Sequence, residues 1–288
     1  MPENPITIRT MAPKGATQDQ LLVHLQGILR ARFATDLAIV NSPGRDGIDA
    51  AALAARDPLD GRHFLMTSAY SINYYPAYSE VGYRREDFEP VAAIGAYKFV
   101  HVTAAANPWR DLGEALAAAR GDGRALRFAD VGEVDLLMMK AMARRAGVAV
   151  EFKQTGGPAL LASVLAREVD VGVGTGTHQA LLQEGKVRVL AQLHARAERG
   201  RGAAPTPKDF GVDVTQENFA LLSSRRGSAP EAKARSIETL LAALRDPSVD
   251  KLIEERLLMA PALLQGAALE DDLAAQREGF ATLRALAG

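Results

Sequence analysis

Short apolar runs separated by amphipathic stretches recur along this chain of 288 residues, and that alternation restricts the fold more than any other feature. Residues 6–11, Ile-Thr-Ile-Arg-Thr-Met, alternate with period two and close on Ala12-Pro13-Lys14-Gly15, which reads as a strand followed by a turn. Residues 17–33 carry Leu21, Leu22, Leu25, Ile28 and Leu29 at helical spacing, with Thr17 as the expected N-cap. A strand at 37–40, a turn at 43–47, a helix at 48–56 and a strand at 64–67 follow. This β-α-β-α-β order predicts a parallel sheet covered by helices on both faces.

The pattern restarts after a strand-like stretch at 91–103 and the Asn107-Pro108-Trp109 turn. Helices are expected at 110–120, 134–146, 158–167 and 177–185, and strands at 126–129, 148–152, 169–173 and 187–193, which make a second α/β lobe. Residues 196–213 read as a polar surface loop rich in Gly and Pro. A strand at 219–222 then leads to helices at 229–245, 248–258 and 269–286. Two lobes also suit the length, since single cores rarely exceed about 100–200 residues.

Composition removes several classes of function. With 34 basic and 35 acidic side chains the net charge is −1, and a nucleic-acid or anionic-membrane partner would call for a basic excess. The absence of cysteine excludes thiolate catalysis, Cys-ligated zinc, Fe–S clusters and disulfides. It leaves the compartment open. No run approaches the ~18 apolar residues of a spanning helix, and residues 1–5 resemble no leader peptide.

Motifs for chemistry are equally sparse. The five histidines are scattered, with no H-E-x-x-H, no P-loop and no G-x-S-x-G elbow, so no metal, cofactor or catalytic residue is assigned. Gly172-Val173-Gly174-Thr175-Gly176-Thr177 lacks the spacing of a dinucleotide loop and reads as a sharp strand-to-helix turn. Asp46, Asp49, Asp57 and Asp60 lie near turns or helix ends, where capping accounts for them.

One ordered set of segments does carry a resemblance. It comprises Ala12-Pro13-Lys14-Gly15-Ala16-Thr17, Val40-Asn41-Ser42-Pro43-Gly44, Asp60-Gly61-Arg62-His63-Phe64-Leu65-Met66 and Ser71-Ile72-Asn73-Tyr74-Tyr75-Pro76. Asp87-Phe88-Glu89-Pro90-Val91-Ala92 and Pro205-Thr206-Pro207-Lys208-Asp209-Phe210-Gly211 complete it. Together they resemble the solute-binding proteins of tripartite tricarboxylate transporters, the Bug or TctC family, over about residues 5–285. The resemblance implies a two-lobed periplasmic binding protein fold (type II-like, a Venus flytrap) with two crossing strands near 100–104 and 218–222. Lobe 1 would hold 1–102 and 220–288, and lobe 2 would hold 103–219. It implies a non-enzymatic receptor without cofactor, periplasmic and monomeric, that captures a small organic carboxylate or zwitterion between its lobes for membrane transporter subunits or a sensor. A cytoplasmic ligand-sensing domain and an α/β enzyme acting on a small acid are the alternatives.

The resemblance also implies a site. Its loops map onto Lys14, Gly15, Ala16 and Thr17, then onto Ser68, Tyr70, Ser71 and Asn73. In the second lobe they map onto Gly132, Glu133, Asp135, Gln154, Thr155, Gly174 and Thr175. Lys14, Glu133 and Asp135 depart from the family's usual glycine and hydroxyl residues. One reading sets Lys14 against a ligand carboxylate and Glu133 or Asp135 against an ammonium. A second turns both acids to solvent in the first turn of a helix, where the dipole favours them. A third joins Lys14 to Glu133 in a bridge.

Overall fold

A computed structural model describes residues 5–130, 132–155, 158–194 and 204–288, and the side chains of Gln154 and Pro158 are outside the description. In chain order the first elements are β1 (Ile6–Thr10), α1 (Thr17–Phe33), β2 (Leu37–Asn41), α2 (Ile48–Ala54), β3 (His63–Ser68), α3 (Ala69–Asn73), α4 (Tyr75–Tyr78) and β4 (Phe88–Ala96). Next come β5 (Val100–Ala104), α5 (Leu112–Gly121), β6 (Leu126–Asp130), α6 (Glu133–Arg145), β7 (Val150–Gln154), α7 (Pro158–Leu165), β8 (Val171–Gly174), α8 (His178–Gln183) and β9 (Val187–Gln192). The last are β10 (Phe219–Arg225), α9 (Pro230–Leu244), α10 (Pro247–Glu255), β11 (Ala260–Leu264) and α11 (Gly266–Ala287).

Contacts divide the chain into two units. The first runs to Ala96 and resumes with Asn218–Arg277; the second takes Tyr97–Glu217 and Glu278–Gly288. The sequence-based boundaries put 97–102 and 278–288 in the first lobe, whereas the structure groups both with the second. β5 is a full member of the second sheet, paired antiparallel to β8 and β9. In the last turns of α11, Arg284 pairs with Glu133 and Gly279 lies against Val214.

The first unit holds a six-stranded sheet in the order β11-β4-β10-β3-β1-β2. β1 is parallel to β2 and β3, as the β-α-β alternation requires, while the returning strand β10 inserts antiparallel between β3 and β4. Leu21, Leu22, Leu25 and Leu29 of α1 are buried, so these four of the stripe read from the sequence face the core, while Ile28 is half-buried. Tyr74 and Tyr75 are buried too and meet edge to face, with ring centroids 5.2 Å apart; both are packing residues. β11 has no counterpart in the sequence reading. Pro261 within Ala-Pro-Ala-Leu-Leu argues against a strand unless that strand lies at an edge, which is where β11 sits.

The second unit holds a five-stranded sheet in the order β7-β6-β8-β5-β9. β6 is parallel to β7 and β8. Met138, Met139 and Met142 of α6 are fully buried, consistent with core filling. Because strands in parallel order share one carboxyl edge, each unit gathers its strand-to-helix loops at one end of its sheet.

Candidate functional site

In the first unit that edge is formed by the loops after β1, β2 and β3. The β1 loop is fixed from within. Asp19, buried in the first turn of α1, accepts the Gly15 amide at 2.7 Å through Oδ2 and the Asn41 side-chain amide at 2.7 Å through Oδ1. Asn41 also donates to the Ala12 carbonyl at 3.0 Å, and the Ala16 amide donates to the Pro13 carbonyl at 3.1 Å. Thr17, expected as the cap, is instead the first helical residue. The cap is Ala16, extended at φ −78°, ψ 171°, with no side-chain acceptor to offer. Backbone bonding in α1 starts with Gln20 N to Ala16 O at 2.9 Å, so the amides of Thr17, Gln18 and Asp19 precede the ladder. Lys14 stands exposed beside them.

Ser68 and Ser71, expected to face a ligand, point their hydroxyls into the protein. Ser68 Oγ caps α3 by accepting the Tyr70 amide at 3.2 Å, and it lies 3.0 Å from the Asn218 amide nitrogen. Ser71 Oγ receives the Thr67 hydroxyl at 2.7 Å and donates to the Asp46 carbonyl at 2.6 Å. Tyr70 is buried. Asn73 is buried as well and fastens α3 to α11: its amide donates to Leu273 O at 2.8 Å and Gln276 Oε1 at 3.1 Å, and its oxygen accepts from Arg277 at 3.0 Å.

The loop after β2 reads from sequence only as a turn. Gly44, Arg45, Asp46 and Gly47 all have positive φ, at 149°, 35°, 52° and 88°, and left-handed Arg and Asp residues carry strain of the kind found at functional sites. The segment is tied down by Ser71 and by the Tyr75 hydroxyl, which donates to Asp46 Oδ2 at 2.7 Å. Burial raises the Asp46 pKa, and the Tyr75 hydrogen bond partly offsets this. A methyl group on Gly47 would collide with the hydroxyls of Thr67 and Ser71 and meet the Met11 sulfur. Gly47→Ala is therefore expected to cost about 1–3 kcal/mol in urea unfolding. The signal for this loop is its Pro-Gly-Arg-Asp-Gly run, which shows a turn but not its hand.

In the second unit the carboxyl edge carries Gly132, Glu133, Asp135, Thr155, Gly174 and Thr175. Gly132 caps α6 in an extended conformation and has no side chain to serve its first-turn amides. Glu133 Oε1 lies 2.9 Å from Arg284 Nη1, with both side chains about 40 % exposed. Asp135 is buried, and its Oδ1 accepts from the Gln216 amide. Both acids thus hold protein partners. The Thr155 amide donates to Asp130 O at 3.3 Å, and its buried hydroxyl has no hydrogen-bond partner among the described residues. Gly174 pairs with Val100 and packs against the His178 ring, and Thr175 is half-buried. The Gln154 side chain and residues 196–203 of the expected polar loop lie outside the described residues.

Among the described residues no group of three or more His, Asp or Glu is placed to hold a metal ion, and no helix is long and apolar enough to cross a membrane.

Two α/β units, each an open sheet with its loops collected at one edge, define the class of the periplasmic solute-binding proteins. The sequence pattern of the tripartite tricarboxylate transporter family receptor, TctC, matches residues 22–260, and the chain belongs to that family. Solved structures agree in fold. A Rhodopseudomonas palustris protein, Rpa4515 with adipate, is 22 % identical with a TM-score of 0.82, covering 100 % of this chain and 98 % of its own. The periplasmic binding protein BugD is 19 % identical with a TM-score of 0.80, covering 100 % and 99 %. MatC from Rhodopseudomonas palustris with bound malate is 19 % identical with a TM-score of 0.76 and full coverage of both chains. Among curated relatives, the UPF0065 protein in the tcbD-tcbE intergenic region of Pseudomonas sp. (strain P51) is 26 % identical over 182 residues. That match takes in 62 % of this chain and spans only about half of the relative, 54 %.

Proposed function

We propose that this chain is an extracytoplasmic receptor that captures a small organic carboxylate and delivers it, chemically unchanged, to a tripartite-type membrane transporter. The observation that carries the reading is the start of α1. A helix of 17 residues begins on Ala16, a cap whose side chain offers the first turn no acceptor. A solute carboxylate supplies the missing acceptor, and Lys14 adds a nearby cation. The glycine-capped start of α6 and the Thr155 hydroxyl offer donors of the same kind in the second unit. Adipate and malate, bound by the two Rhodopseudomonas palustris proteins, set the size class to test first.

The test is a thermal-shift panel of four- to six-carbon mono- and dicarboxylates, amino acids, amines and neutral sugars. A carboxylate at 100 times its Kd should add about 2.7 kcal/mol of stability, several degrees in the melt. A panel in which only sugars or amines move the melt overturns the reading.

A further inference from the structure

A cavity of about 160 Å³ lies within the first unit, walled by α3, α11, β4 and β10. Phe88, Leu221 and Leu273 give it a buried apolar floor, and the more exposed Arg85, Glu86, Arg226 and Glu270 form its rim. β4 begins at Phe88 and β10 ends at Arg225, both beside the amino end of β3. Arg85, Glu86 and Arg226 therefore stand at the opposite edge of the sheet from the loops after β1, β2 and β3, away from the start of α1.

The polar groups of this cavity are under-used. Glu270 forms no ion pair and no hydrogen bond among the described residues. Arg85 meets only the neighbouring Glu86, Nε to Oε1 at 3.5 Å, which leaves both terminal nitrogens of its fork without a partner among the described residues. Arg226 is held by Nε on the Glu86 carbonyl at 2.6 Å, and its Nη1 comes no nearer than 3.6 Å to Glu89. Asn73, which lines the cavity, donates to Gln276 Oε1, and the buried amide nitrogen of Gln276 has no partner among the described residues. The same is true of the buried Ser223 hydroxyl, on the strand face of Leu221 and opposite the lining Pro90. Buried polar groups left unpaired mark a place where a further molecule completes the network.

Charge and size narrow that molecule. A rim of two guanidiniums and two carboxylates repels part of any simple anion or simple cation and matches a zwitterion. A volume of about 160 Å³ holds roughly six to eight non-hydrogen atoms, the scale of a cavity of ~150 Å³ that takes up benzene. We propose that this cavity is a second solute site, separate from the start of α1, and that it takes a small α-amino acid with a neutral side chain. Arg85 and Arg226 hold its carboxylate, Glu270 holds its ammonium, and its side chain rests on Phe88, Leu221 and Leu273.

The experiment titrates the full chain with alanine, serine and valine, followed by NMR of the protein, each against propionate and ethylamine. So small a ligand should bind in the millimolar range. Propionate and ethylamine, each lacking one of the two charges, should bind at least about tenfold more weakly. Glu270→Gln and Arg85→Gln, both surface changes checked by melting curves, should each weaken the amino acids about tenfold or more. Ala16→Asp, which blocks the start of α1, should leave them within about twofold, so the result does not depend on the receptor reading. Absence of saturable amino-acid binding at tens of millimolar overturns the inference. So does an affinity unchanged in both rim variants, or one lost in Ala16→Asp, which would place the amino acid at the start of α1 instead.

Discussion

Acidification below pH 6.5 is expected to destabilise the second unit through His101, by about 1 kcal/mol per pH unit. His101 lies in β5, fully buried, with its ring edge-on to Phe128 at 5.3 Å between centroids. Neither ring nitrogen has a hydrogen-bond partner among the described residues. Burial alone pushes its pKa from 6.5 down to about 3. Above pH 6.5 the ring is neutral in both folded and unfolded chains, and the group adds no pH dependence. Below it the unfolded chain takes up a proton that the folded unit refuses, so stability falls until about pH 3, by roughly 4–5 kcal/mol in all. Replacing the ring by Leu removes that slope. At neutral pH the same change should gain about 1–2 kcal/mol, since two buried nitrogens no longer go unpaired. Calorimetric melts of wild type and His101→Leu at pH 7, 5.5 and 4.5 decide it; equal pH slopes would contradict the account.

Asp170→Ala should cost about 2–4 kcal/mol at neutral pH, more than Gly47→Ala. Asp170 stands just before β8 with its side chain 3 % exposed, and it binds Arg124 at 2.6 Å and Arg127 at 2.8 Å. It also accepts the Arg127 amide at 2.9 Å, which ties the start of β8 to β6. The loss falls short of the about 3–5 kcal/mol of a fully buried pair, because the two guanidiniums are about 40 % exposed and reach water once released. Burial opposes ionisation of Asp170, yet the arginines and the amide hold its pKa below the usual aspartate value. Its contribution is present above that usual value and is lost as pH falls through the lowered one, a window more acidic than the onset for His101. Urea unfolding of Asp170→Ala and Asp170→Asn measures the effect. A change under about 0.5 kcal/mol in both would show that the cluster does not fasten these strands.

Much of the fold was legible because periodicity reports burial. The leucine stripe of α1 predicted a helix over the stretch that forms one, and the β-α-β alternation predicted a parallel sheet in the first unit, where β1 lies parallel to β2 and β3. β11 was not legible, since Pro261 speaks against a strand until edge position is known. Among site residues, short-range pattern misled where a long-range partner decides. Thr17 looks like a cap in sequence, but the turn at Gly15, φ 82°, sets the helix to begin one residue earlier. Asn73 looks like a loop donor, yet its partners Leu273, Gln276 and Arg277 lie some 200 residues on. Glu133 and Asp135 admit a ligand, solvent or Lys14 as partner in sequence, and the partners they have, Arg284 and Gln216, lie 151 and 81 residues away.

The central claim is that a solute carboxylate completes the uncapped start of α1, and putting an acceptor there from the protein itself tests it most directly. Ala16 already has the extended backbone of a cap, so Ser or Asp fits without rearrangement. Titrating the tightest carboxylate from the panel into wild type, Ala16→Ser and Ala16→Asp should show affinity weakened about tenfold by Ser and a hundredfold or more by Asp. The serine variant should melt higher, by about 1 kcal/mol of added stability. More stable variants that bind less are the predicted result. Undiminished affinity in Ala16→Asp would contradict the account.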